Sequence, residues 1–236
     1  FRHILLILLF AMSALVVISC SPPPAEFKAD YILKSGNVII TINDFAEELD
    51  LKRSAYPYSI KDEPTAYNDM VVHLVKMLSE EIVLLSAARD LGIVVTDEEL
   101  NTAVALFKED YPEDSFEQIL LKNAVSYPFW LKRFKNNMIV EKLIDRELKD
   151  KIQITSEDIV TFYSRLKAQQ DLKSDDMPPD TVDDEKELVK KLKMHKTQEQ
   201  YTAWVGTLVR QYPVQINEKE LKEFMIDDQK VKEDEE

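Results

Sequence analysis

Cys20 is the single cysteine of this 236-residue chain, and it closes an apolar run that extends from Ile4 to Ile18. A lone thiol excludes an intrachain disulfide and a cysteine-built zinc site. It remains available as a nucleophile that can take a lipid. His73 and His195 are far apart, and each sits on a helical stretch with no second ligand type at metal-binding spacing. Metal ligation or general-base work needs such partners, so both read as surface or half-buried histidines. The sequence shows no Ser-His-Asp grouping. Glu80-Glu81 and Asp97-Glu98-Glu99 are carboxylate pairs that suit a solvated face and a helix N-terminus. No catalytic centre, metal or cofactor is expected from these residues.

The surroundings of Cys20 assign its thiol a role. Arg2 supplies a positive charge ahead of the apolar run, and the run is shorter than the roughly 20 residues a spanning helix needs. Val17-Ile18-Ser19-Cys20 resembles the bacterial lipobox, with an aliphatic residue first and a small residue just before the cysteine. The resemblance implies a cleavable signal over 1–19 and lipidation of Cys20, which would tether the mature chain to a membrane. Ser21-Pro22-Pro23-Pro24 then opens a stiff spacer, assigned to 20–36. Ser21, rather than Asp, follows the cysteine, which in a two-membrane envelope implies the outer membrane, facing the periplasm.

Composition narrows the rest. The chain has 44 acidic against 30 basic residues, a net charge of −14, so a phosphate backbone would be repelled and nucleic-acid binding is not expected. Only three glycines are present, Gly36, Gly92 and Gly206. That is too few for the turns of a β-rich fold or for a phosphate-cradling loop. The expected fold is mainly helical.

Val38 to Ile42 is rich in β-branched residues and predicts a strand. Asn43-Asp44 offers a cap for a helix over Phe45–Leu51. Thr65 to Leu91 carries Val71, Leu74, Leu78, Ile82 and Leu85 at helical spacing, and Gly92 is placed to end that helix in a left-handed cap. Thr96-Asp97-Glu98-Glu99 and Ser115-Phe116-Glu117-Gln118 read as capping boxes, the first opening a helix that buries Leu100, Val104 and Phe107. Ser126 caps a helix running through Trp130, Phe134 and Met138 to about Asp150. Its Lys132, Arg133, Lys135, Lys142, Arg146 and Lys149 make it locally basic; neighbours such as Glu141 and Asp145 would pair with them along the helix, with the acidic linker, the tail or an acidic partner as the alternative. Thr155 to Asp158 opens a helix with Ile159, Phe162 and Leu166. A helical domain over 37–168 is expected, followed by an acidic linker over 169–186. A closing unit over 187–226 holds a long helix with Leu188, Leu192, Trp204, Val205 and Leu208 inward, a strand at Val214–Ile216, and a helical turn capped by Asn217. The charged stretch 227–236 is a tail. The strands Val38–Ile42 and Val214–Ile216 are expected to pair, N-terminus to C-terminus.

The run Leu84-Leu85-Ser86-Ala87-Ala88-Arg89-Asp90-Leu91-Gly92-Ile93-Val94-Val95-Thr96-Asp97-Glu98-Glu99-Leu100 resembles the N-terminal domain of SurA-like periplasmic chaperones. Ser115 to Leu120, Ser126 to Leu148 and Ile152 to Ile159 match that family's following elements in order. Ile40 to Phe45 and Trp204 to Asn217 resemble its opening and closing elements. The resemblance implies a non-enzymatic chaperone. Its partners would be unfolded or extended polypeptides, among them outer-membrane proteins, held without ATP. Family members of the SurA and PrsA type usually carry a parvulin isomerase domain after the helix matching Ile159–Leu166. Here one glycine and one histidine follow Lys167, so no isomerase is expected in that place. Tyr56, Tyr58, Tyr111, Tyr127, Phe129 and Trp130 fall at helix ends and breaks, and are the candidate client-binding residues. Aromatic rings give large contact area with little rotamer loss. A dedicated, non-enzymatic interaction subunit of an envelope assembly machine is the alternative function.

Overall fold

A computed structural model describes residues 30–112, 115–170 and 182–227. Cys20, the signal, the spacer up to Ala29, the centre of the acidic linker and the tail beyond Asp227 lie outside the described residues. The fold is mainly α, with one three-stranded antiparallel sheet of order β2-β1-β3. The strands are β1 (Tyr31–Ser35), β2 (Val38–Thr41) and β3 (Gln215–Ile216). The helices are α1 (Ile42–Arg53), α2 (Pro64–Asp90), α3 (Asp97–Glu109), α4 (Ser115–Lys122), α5 (Tyr127–Glu147), α6 (Ser156–Gln170), α7 (Val182–Gln211) and α8 (Glu218–Lys222). Short 3-10 turns span Tyr58–Asp62 and Lys149–Lys151.

The N- to C-terminal strand pairing is present, but a different strand makes it. β1, in the segment assigned to the spacer, is central and pairs with β3 through Leu33↔Ile216 and Lys34↔Gln215. β2 pairs only with β1. Gly36-Asn37 closes the β1–β2 hairpin, with Ser35 opposite Val38 and Gly36 at φ +55°. Glycine takes that left-handed turn without steric cost. Ile32 and Leu33 are fully buried, which makes β1 the interior strand and excludes it from a spacer. The linker is also shorter than assigned, because α6 runs to Gln170 and α7 starts at Val182.

Local signals explain most helix ends. Thr41, rather than Asn43-Asp44, caps α1. Its hydroxyl accepts from the Asp44 amide at 3.1 Å, and the Asp44 carboxylate accepts from the Thr41 amide at 3.2 Å. Thr96 and Glu99 build the same reciprocal box on α3, and Thr155 with Asp158 on α6. Helix α2 ends in a Schellman motif: Ile93 donates to the Ala88 carbonyl and Gly92, at φ +66°, to that of Arg89. Ser115 does not cap α4. It is already helical, and its hydroxyl donates to the Pro112 carbonyl at 2.8 Å.

Helix α2 is the axis of the molecule. Its N-terminal two-thirds packs Tyr67, Met70, Val71, Leu74, Leu78 and Ile82 against β1, Phe45 and Leu49. Its C-terminal end places Leu84, Ala87 and Ala88 against Leu143 of α5 and Val205 of α7. Small side chains there let three helices approach closely. A third cluster joins Val95, Leu100 and Val104 to Trp130, Phe134 and Met138 of α5. Among the described residues no buried side-chain nitrogen or oxygen lacks a partner.

Candidate functional site

Ser126 accepts a hydrogen bond from the Phe129 amide at 3.2 Å and starts α5, with Pro128 in its first turn. That start directs Phe129 inward and Trp130 toward α3 and α4. Phe129 is only 7% exposed, yet it lines two adjoining clefts. The first, of about 760 Å³, lies between the end of α1, the Tyr58–Asp62 turn and the loop Asn123–Ser126. Tyr56, Pro57, Tyr58, Val125 and Phe129 are among its lining residues. The second, of about 680 Å³, is walled by Phe107, Leu120, Trp130, Phe134 and Met138. Leu51, Asn123, Val125 and Phe129 belong to both. The first cleft also carries Glu47, Asp50, Arg53, Lys61 and Asp62 and is therefore mixed, whereas the second is mainly apolar with a few polar groups, the usual chemistry of a binding site.

The second cleft is backed by a continuous ring cluster. Phe107 lies 5.6 Å from Trp130, 5.5 Å from Phe134 and 5.9 Å from Phe116. Trp130 stacks on Phe134 at 5.1 Å and meets Phe116 edge-on at 4.7 Å. Tyr111 reaches Phe107 and Phe116, and Tyr127 reaches Trp130. Lys108 sits over Phe116 and Tyr127, 4.9 and 5.1 Å from their centroids, while pairing with Glu117. Edge-on and stacked pairs add roughly 0.5–1.5 kcal/mol each beyond area burial.

The structure therefore distributes the six candidate aromatics. Tyr56, Tyr58 and Phe129 meet at the first cleft. Phe129 and Trp130 face the second. Tyr111 and Tyr127 support its ring wall rather than line it. Tyr58 is fully exposed, whereas Phe129 is part of the core. The sequence reading missed Phe107, Phe134 and Met138 as cleft residues because their helical spacing marks them equally well as core. It missed Val125 and Asn123 because a loop residue carries no periodic signal.

Ion pairs hold α5 against its neighbours, where pairing along the helix itself was expected. Lys132 pairs with Asp44 and Arg133 with Glu48, both on α1. Lys142 pairs with Glu99 at 2.6 Å and Lys135 with Asp97 at 3.6 Å, both on α3. At the C-terminal end of α5, Lys149–Asp145 follows the expected i,i+4 pattern, and so does Lys151–Glu147. Burial pushes the Glu48 carboxyl above its ordinary range despite Arg133 and Lys132 beside it. Burial also pushes Asp44 up, but Lys132 and Thr41 outweigh it and hold that carboxyl below the ordinary value. Glu80 and Glu81, read as solvated, each accept a hydrogen bond: Tyr201 donates to Glu80 at 2.7 Å and Asn136 to Glu81 at 3.1 Å. Burial, followed by Glu80, raises the Tyr201 hydroxyl well above its ordinary value. His73 lies 3.5 Å from Lys52 and His195 is 3.5 Å from Glu199. Among the described residues no group of three or more His, Cys, Asp or Glu could hold a metal ion, and no helix is long and apolar enough to cross a membrane.

No family model matches the chain. It is 28% identical over 133 residues to Chaperone SurA of Buchnera aphidicola subsp. Schizaphis graminum. The match covers 51% of this chain and 31% of that relative, so the chain spans about a third of the relative's length. The similarity supports a relationship with SurA-like chaperones.

Proposed function

We propose that this chain is a lipid-anchored chaperone of the cell envelope that holds unfolded exported polypeptides, outer-membrane proteins among them, without ATP and without catalysis. The observation that carries this reading is the pair of adjoining clefts that share Phe129 and present aromatic walls. The distant similarity to Chaperone SurA supports the same class. An extended client would lay apolar side chains into both clefts across Phe129. Release needs no chemistry, because a client that buries those side chains in its own fold withdraws them from the binding equilibrium. Lipid on Cys20 would keep the clefts near the membrane that clients must reach.

The test is dilution of an unfolded outer-membrane barrel protein into buffer, followed by light scattering, with and without the chain from Ser21 onward. Stoichiometric suppression of scattering, absent with an unrelated acidic helical protein, is the expected result. Unchanged scattering across several clients would reject the holdase and favour a subunit with one dedicated partner. The anchor has its own test. Cells fed a labelled fatty acid should label this chain and leave its Cys20→Ala variant unlabelled.

A further inference from the structure

The C-terminal segment is seated on the rest of the fold in the manner of a bound peptide. Leu221, Phe224 and Met225 follow at i, i+3 and i+4, and all three pack half-buried against the cluster of Phe45, Leu49 and Tyr67. Phe224 meets Phe45 edge-on, with ring centroids 5.0 Å apart. One side-chain amide then reads the backbone that follows. Asn68 Nδ2 donates to the Ile226 carbonyl at 2.8 Å, and the Ile226 amide donates to Asn68 Oδ1 at 2.9 Å. Those two bonds see main chain only, so they accept any non-proline residue. The groove is also incompletely filled: a cavity of about 330 Å³ remains between Leu49, Tyr67, Lys61 and the segment.

The segment is retained by β3, by the Asn217 amide donating to the Ile32 carbonyl at 2.9 Å, and by half-buried apolar contacts. β3 contributes two residues, both exposed, and follows Pro213 at the end of α7. None of Leu221, Phe224, Met225 and Ile226 is fully buried, whereas Phe45 and Val71 beneath them are. Segments with few buried contacts open below the free energy of global unfolding. Once open, the groove exposes Phe45 and Tyr67, an apolar surface that calls for a cover.

We propose that the α1–α2 groove is a second polypeptide-binding site, adjoining the first Phe129 cleft along Asp50, Arg53 and Lys61, and that residues 221–226 are its resting occupant. Its ligand is a short amphipathic helical turn of another polypeptide, with large apolar residues at i, i+3 and i+4 and a following residue whose main chain Asn68 clamps. This is the helix-in-groove mode of recognition, terminated by a backbone-reading amide. The tethered segment competes at an effective concentration of about millimolar, so a ligand in trans meets a groove that is mostly closed.

The probe is a fluorescein-labelled peptide of residues 217–229, added to the full chain and to a chain ending at Ile216, which keeps β3 and lacks the whole occupant. The shortened chain should bind it at least about tenfold more tightly, since self-competition is gone. Asn68→Ala in that chain should weaken binding, and a peptide with the three apolar residues respaced should not bind. Should the shortened chain fail to fold, the full chain decides by amide exchange. Excess unlabelled peptide should strip protection from the Ile226 amide while leaving Leu74 and Val83 protected. Protection of Ile226 unmoved by the peptide, or exchange of Ile226 in step with Leu74 and Val83, overturns the proposal. So does a folded shortened chain that ignores the peptide. If free peptide releases nothing but the chain itself dimerises as its concentration rises, the groove serves a second copy and the client assignment falls. None of these readouts involves aggregation or Phe129, so the two sites stand or fall separately.

Discussion

Ala124 carries the one non-glycine positive φ, +53°, among the described residues. It ends α4 in a Schellman motif, with Val125 donating to the Leu120 carbonyl and Ala124 to that of Leu121. A Cβ in that conformation costs roughly 1–2 kcal/mol, partly offset by the greater unfolded-state freedom of glycine. Ala124→Gly should therefore stabilise the fold by roughly 0.5–1 kcal/mol, read as a higher urea midpoint at unchanged slope. An unchanged or lower midpoint would show that the strain is relieved elsewhere. At the first cleft, Tyr58 and Phe129 call for different substitutions. Tyr58 is fully exposed, so Tyr58→Ser should move stability by less than about 0.5 kcal/mol while weakening suppression of client aggregation. Equal suppression by the variant would remove Tyr58 from the site. Phe129→Ala would cost about 3 kcal/mol or more through a core cavity, and would confuse binding with folding.

The helices are locked to one another by capping carboxylates that also take a lysine from a second helix. Glu99 bonds to Lys142 of α5 and to the Thr96 amide, and the lysine followed by the cap holds its carboxyl down to about 2. Asp158 is likewise held at about 2, by Lys196 of α7 and then Thr155. A depressed carboxyl contributes stability above its unfolded value, here 4.5 and 3.8, and loses it as pH falls through the folded value. Glu48 has the opposite sign, since its raised carboxyl favours the folded chain as it protonates. The melting temperature should fall between about pH 5 and pH 2. Glu99→Gln and Asp158→Asn should each lower it at neutral pH and flatten that fall. A variant whose profile is parallel to the parent's would show that its cap and cross-helix pair carry no net charge-dependent stability.

Across the whole molecule, α2 couples the sheet end to the α5–α7 end, because Tyr67 to Ala88 contributes to two core clusters in one uninterrupted helix. The chain's two tryptophans report on different parts of this assembly. Trp130 packs with Val95, Leu100 and Val104, while Trp204 packs with Leu84 and Leu143. Single-tryptophan variants, Trp130→Phe and Trp204→Phe, should give one common denaturation midpoint once each is referred to its own circular dichroism. Midpoints that separate would show the aromatic end opening apart from α7, as a chaperone with an adaptable cleft wall could do.

Thr96 to Glu99, Thr155 to Asp158, Gly92 and the apolar stripe of α2 were all legible in the sequence. Each depends on groups within about four residues, so local chemistry suffices. Gly36-Asn37 is a legible hairpin signal too, although the prolines at 22–24 point to a spacer. That β1 is central and that β3 joins it is another matter. Leu33 and Ile216 meet only after the intervening chain has folded, and two exposed residues at β3 carry no strand pattern. The same holds for the clefts. Tyr56 and Phe129 stand out in sequence only as aromatics at helix ends and Val125 not at all, and the three become one surface because α5 docks on α1 through Lys132 and Arg133. Cross-helix partners for those cations could not be chosen from composition, since an acidic chain offers many. Burial and packing selected Asp44 and Glu48 among them.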